Sequence, residues 1–213
     1  MNLGTLISNF RIDERDTSTP PMLGRDHLVR LFNEATEEAA IRKSLLREEL
    51  IVSLVPGDVE VSIPARIIEV RTARLVEGGE MYWLAPSDRY EQDRLNRYWR
   101  DTAGRPSAFI HDDSSIALNR IIETAADLKL ECFRTPISQM SDDDDEPEIA
   151  AVHHPYLNGW VRYRAYLVPD TDFMDKDRSA RGLSEFEDYF GRRPSAGHRR
   201  DNNANRPHRV KAW

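Results

Sequence analysis

Past Phe190 the sequence stops offering anything to a core, and that boundary constrains the fold more than any other feature. From Gly191 onward, residues such as Pro194, Gly197, Asn202, Asn203, Asn205 and Pro207 provide almost no apolar surface until Val210 and Trp213. Nothing there offsets the conformational entropy lost on ordering. The same segment carries Arg192, Arg193, Arg199, Arg200, Arg206, Arg209 and Lys211 against Asp201 alone, a net +6, which leaves 23 basic and 36 acidic residues, or −13, in the rest of the 213-residue chain. The expectation is an acidic body over residues 1–190, built as a single α+β domain, and a basic, extended and flexible arm over residues 191–213.

Within the body the apolar spacing alternates between helix and strand periods. Leu3, Leu6, Ile7 and Phe10 share one helical face behind Asn2, a cap residue. A long second helix is expected from about Arg25 to Leu46, with Leu28, Leu31, Phe32, Ala35 and Ala39 inward and Arg30, Glu34, Glu37, Glu38 and Arg42 outward. Two hairpins are expected next. One joins Leu50, Val52 and Leu54 to Val59, Val61 and Ile63 through Pro56-Gly57-Asp58, and the other joins Arg66–Leu75 to Met81–Leu84 through Glu77-Gly78-Gly79-Glu80. Ser87-Asp88 caps a helix carrying Tyr90, Leu95, Tyr98 and Trp99, and short strands follow at 107–111, 115–118 and 127–135. The acidic run 141–148 reads as a solvated, unpaired loop. Two closing helices follow, the first bearing Leu157, Trp160 and Val161 and the second Leu183, Phe186 and Phe190. The resulting fold class is α+β: a helical bundle with a long early helix and C-terminal helices, short antiparallel hairpins, and a flexible arm. Leu28, Leu31, Phe32, Trp99, Trp160 and Phe186 are the expected core or subunit-packing residues.

Several classes of function find no support in the residues. There is no nucleophile elbow, no phosphate-binding Gly-rich loop, and the lone Cys132 sits in a strand-like pattern that suits a buried thiol in a reducing compartment. No apolar run is long enough to span a bilayer, and Met1–Phe10 lacks the basic start and cleavage site of a signal peptide. Asp142–Asp145 with His153 and His154 lack the glycine-punctuated spacing of a calcium loop, so no metal, cofactor or catalytic residue is expected. His27, His111, His198 and His208 are scattered singly.

The order of elements resembles the head-to-tail adaptor (connector) proteins of tailed, particularly short-tailed, bacteriophages. The resemblance rests on Asn33-Glu34-Ala35 in the long helix, Tyr98-Trp99 followed by Gly104-Arg105-Pro106-Ser107-Ala108-Phe109-Ile110, and Arg134-Thr135-Pro136 before the acidic loop. It continues with Pro155-Tyr156-Leu157, Tyr163-Arg164-Ala165-Tyr166, and Phe186–Arg192 at the close of the last helix, whereas Asn119–Ala126 departs by lacking the family's proline-rich turn. What the resemblance implies is a non-enzymatic virion protein at the head-tail junction, present in the host cytoplasm during assembly. Such a protein docks as a ring, commonly twelvefold, beneath the portal protein, helps retain the genome and presents a surface to a tail nozzle or tail-tube protein. DNA would pass through its lumen. The arginines of the arm, with Lys211 and Trp213, would bind the portal, and the subunit alone would be a monomer. The alternative reading is a DNA-binding accessory protein using the same arm. A metal-dependent hydrolase is a weaker third.

Overall fold

The computed structural model describes residues 1–16, 18–168 and 174–194. Among them are five helices, α1 (Leu3–Asp13), α2 (Arg25–Lys43), α3 (Arg89–Leu95), α4 (Leu157–Ala165) and α5 (Lys176–Phe190). The strands are β1 (Leu46–Leu54), β2 (Glu60–Ser62), β3 (Ile67–Glu77), β4 (Glu80–Pro86), β5 (Ala108–His111), β6 (Ser115–Leu118) and β7 (Ala126–Arg134). The chain forms two compact units, Met1–Leu46 with Thr135–Arg193, and Arg47–Arg134.

The first unit is helical. Leu3, Leu6, Ile7 and Phe10 of α1 and Leu28, Leu31 and Phe32 of α2 are buried with Leu157, Trp160, Val161, Phe186 and Phe190. Asn2 caps α1 by accepting a hydrogen bond from the Thr5 amide. The acidic run expected to be unpaired is instead part of the same cap. The Leu3 amide donates to the Asp145 carbonyl at 2.7 Å and the Gly4 amide to the Asp143 carbonyl at 3.0 Å. Arg25 holds the Asp143 carboxylate at 2.7 Å, while the Ser141 and Asp142 amides donate to the Asp145 carboxylate and push its pKa down. The positive end of α1 and its orphan amides tolerate an acidic run that would repel itself in isolation.

The second unit corrects the expected fold class. Its strands join in one mixed, curled sheet, a half-barrel of order β1-β7-β3-β4-β5-β6-β2, so the molecule is dominated by the sheet and is not a helical bundle with separate hairpins. β4 and β5 run parallel, with Ala85 opposite Ala108, while the other registered pairs are antiparallel. The β3–β4 hairpin forms where expected because Gly78 and Gly79, at φ 58° and 86°, supply the left-handed pair that a two-residue turn needs. The other expected hairpin does not form. Its turn is claimed by a distant segment: the Gly57 amide donates to the Ile122 carbonyl and the Ile122 amide to the Asp58 carbonyl, so β2 pairs with β6 and β1 lies at the far edge.

Leu54, Val70, Leu75, Phe109, Ile116, Leu118, Leu128, Leu130 and Cys132 form the buried apolar cluster of this unit. Burial, with Glu48 and Glu131 nearby, pushes the Cys132 thiol up to about 12, so it packs as a neutral side chain.

Helices α4 and α5 cross where neither carries a side chain. A Cβ at Gly182 would lie 2.7 Å from both the Gly159 carbonyl oxygen and the Tyr163 nitrogen. Alanine gains about 1 kcal/mol over glycine inside a helix, but forcing a packed crossing apart costs about 1–3 kcal/mol. Gly182→Ala should therefore lower the free energy of unfolding in urea; an unchanged or higher value would show that the crossing is loose.

Candidate functional site

The described residues include the root of the expected basic arm. Helix α5 is capped by Asp175, whose side chain accepts from the amides of Asp177 and Arg178, and closed by Gly191, where φ of 83° turns the chain away. The Gly191 carbonyl does not point to solvent alone. Arg42 of α2 donates to it at 3.1 Å, to Glu38 at 3.1 Å and to Glu187 at 3.4 Å. The guanidinium also lies 5.1 Å from the rings of both Trp160 and Phe186.

Arg42 and Glu38 are 5% and 9% exposed, so the pair expected on the outer face of the helix is enclosed. The spacing carried a signal for this: Leu31, Ala35, Glu38 and Arg42 recur at helical intervals on the apolar stripe. Lys43 adds a second tie, donating to the Tyr189 carbonyl at 2.7 Å above the Tyr189 ring.

Two of the expected arm residues belong to this clamp. Arg193 meets Glu38 at 2.9 Å and Arg192 lies 3.7 Å from Glu187. Gly191, Arg192 and Arg193 thus each contact α2 or α5. Arg199, Arg200, Arg206, Arg209, Lys211 and Trp213 lie outside the described residues. Of the expected packing residues, Leu28, Leu31, Phe32, Trp160 and Phe186 are buried in the helical core, and Trp99 is buried against Ile110 and Ala117 of the sheet.

Breaking one member of an enclosed ion pair strands the other. Arg42→Met keeps the apolar stem over Trp160 and Phe186 but leaves Glu38 with Arg193 alone, so a loss of about 3 kcal/mol is expected. Adding Glu38→Gln should recover more than half of it in a double-mutant cycle; full additivity would mean that the two side chains are not coupled.

His153 and His154 do not converge on a common point. His154 is buried between the Ile149 carbonyl at 2.9 Å and the Met1 amine at 3.0 Å, while His153 meets the Tyr189 hydroxyl at 3.1 Å. Among the described residues no group of three His, Cys, Asp or Glu side chains could hold a metal ion, and no helix is long and apolar enough to cross a membrane.

Burial, then Lys43 and His154, lower the pKa of His153, and burial, then Arg30 and Arg164, lower that of His27. A histidine with a depressed folded pKa favours the unfolded chain once protons become available. Its contribution is therefore complete above the ordinary histidine range and is lost as pH falls through it. The urea midpoint should drop between about pH 7 and pH 5, and His27→Gln with His153→Gln should flatten that drop; an unchanged slope would assign the acid sensitivity elsewhere.

Comparison with known families matches the SU10 adaptor protein over residues 1–211. No curated protein compared with the chain matches it. A match of that extent defines a structural adaptor of the bacteriophage virion, a class that joins portal and tail at the head-tail junction and is not one of enzymes. The chain belongs to the SU10 adaptor protein family.

Proposed function

We propose that the protein docks as a multimeric ring, twelvefold in the usual case, beneath the portal of a short-tailed phage. There it helps to retain the packaged genome and offers the tail nozzle or tail tube its attachment surface. The observation that carries this reading is the clamp at the arm's root. It fixes where the basic segment leaves the body and neutralises the first two arginines on Glu187 and Glu38. Arg199, Arg200, Arg206, Arg209 and Lys211 then stand against Asp201 alone, with Val210 and Trp213 as apolar anchors.

Arginine and tryptophan concentrate binding energy at protein interfaces, and a short segment that orders on contact defers its entropy cost to the docking step. That deferral disfavours rings in the absence of the portal, which is why the isolated subunit is expected to be a monomer. The acidic body has a use in the same setting: it repels the DNA passing through the lumen.

The test is electron microscopy of portal particles mixed with the full chain or with a chain ending at Arg193. Only the full chain should add a symmetric layer. Equal layers from both forms would remove the arm from docking, and strongly salt-dependent duplex binding by the arm would favour the DNA-binding alternative.

A further inference from the structure

Helix α3 and the turn that follows it expose apolar side chains and bury a polar one. Its polar Gln92 is 6% exposed and donates to the Ser87 hydroxyl, while Tyr90, Leu95 and Tyr98, at 80%, 66% and 68%, are among the most exposed large apolar side chains described. The helix expected to carry Tyr90, Leu95, Tyr98 and Trp99 ends at Leu95, and of those four residues Trp99 alone is buried.

The segment is nonetheless well fixed. Asp88 caps α3 through the Glu91 amide, Arg89 pairs with Asp112 at 2.5 Å, and the Trp99 indole donates to Asp93 at 2.7 Å. Arg94 and Arg97 are exposed and meet no carboxylate among the described residues. Rigidly held tyrosines interleaved with unpaired arginines are the composition of an interface centre. Four arginines against Glu91, Asp93 and Asp101 between residues 89 and 101 leave only +1, too little to hold duplex DNA.

The helical unit carries a surface of the opposite kind. A groove of about 520 Å³ is bordered by the carboxylates of Asp13, Glu185 and Asp188, and the Tyr156 and Tyr189 rings that line it stack at 3.5 Å. Its one cation, Arg162, is already held by Glu14 at 2.6 Å and by Glu185. Asp188 faces no cation among the described residues, and the Asn158 side-chain oxygen has no hydrogen-bond partner.

The geometry points to a contact between two copies of this chain, in which the Tyr90, Arg94, Arg97 and Tyr98 surface of one copy enters the acidic, tyrosine-lined groove of the next. Two different patches meet in such a contact, so it is heterologous, and repetition generates a ring when the rotation closes. This rests on the proposed ring and names the surfaces that would build it.

The test uses Cys132 as it is, buried and protonated, so that engineered thiols alone react. Copies carrying Tyr98→Cys are mixed with copies carrying Asp188→Cys, at high concentration and on portal particles, and disulfide-linked pairs are counted against a control that replaces Asp188→Cys with Asp127→Cys. The mixed pair should exceed the control at least tenfold, and in concentrated solution without portal it should persist in chains ending at Arg193; pairing at the control level would overturn the contact. Pairing lost on truncation in that solution would assign the groove to the basic arm and overturn it as well.

Charge reversal separates this inference from the adaptor reading. Arg94→Glu with Arg97→Glu, and Asp13→Arg with Asp188→Arg, should each reduce the layer on the portal at least tenfold, and mixing the two variants should restore it. Full layers from each variant alone would overturn the contact while leaving the adaptor reading intact. Absence of a layer from the unmodified chain would fail that reading, and the crosslink in concentrated solution would still decide the contact.

Discussion

The helical unit depends on an enclosed arginine. Arg42 reaches three acceptors on two helices and at the first residue of the arm, with aromatic rings of α4 and α5 beside it. An enclosed ion pair adds little net stability over an apolar pair, because desolvation offsets most of the attraction. What it specifies is geometry. A guanidinium with this many fixed partners tolerates one position of α5 against α2, and so one exit for the chain beyond Gly191. The glycine crossing of α4 and α5 sharpens the same constraint, because backbones that touch cannot slide past one another without a clash.

The sheet unit is organised by pairings between segments distant in the chain. β3 is the central example: it pairs with its sequential neighbour β4 on one side and with β7, more than fifty residues later, on the other. β2 likewise ignores β1 and joins β6. Closing such loops costs entropy that only a shared apolar face repays, and the buried leucines of β7 supply it. The outcome is a rigid scaffold that can hold a short element such as α3 with its apolar side chains facing outward.

Local features were therefore legible in the sequence and nonlocal ones were not. The Asn2 cap, the stripe of α2, the Gly78-Gly79 turn and the Gly191 stop each follow from residues within a few positions of one another. The mixed sheet does not, because nothing near Pro56-Gly57-Asp58 reveals that Ile122 will take its backbone groups. The basic segment was visible as charge, whereas its clamp was hidden by the habit of placing charged residues outward: Glu38 and Arg42 sit on the apolar stripe and were assigned to the surface by residue type. The acidic loop misled for the same reason, since its partners, the first amides of α1 and Arg25, lie well over a hundred residues away.

In the proposed function a fixed root presents a basic segment to the portal. Amide hydrogen exchange, measured on the full chain alone and bound to portal particles, tests it most directly. Slow exchange is expected for Tyr189–Gly191 in both states, since the Gly191 amide donates to the Glu187 carbonyl, and protection of residues beyond Pro194 only when the portal is present. Fast exchange at Gly191 in the free protein, or no gain of protection beyond Pro194 on the portal, would contradict it.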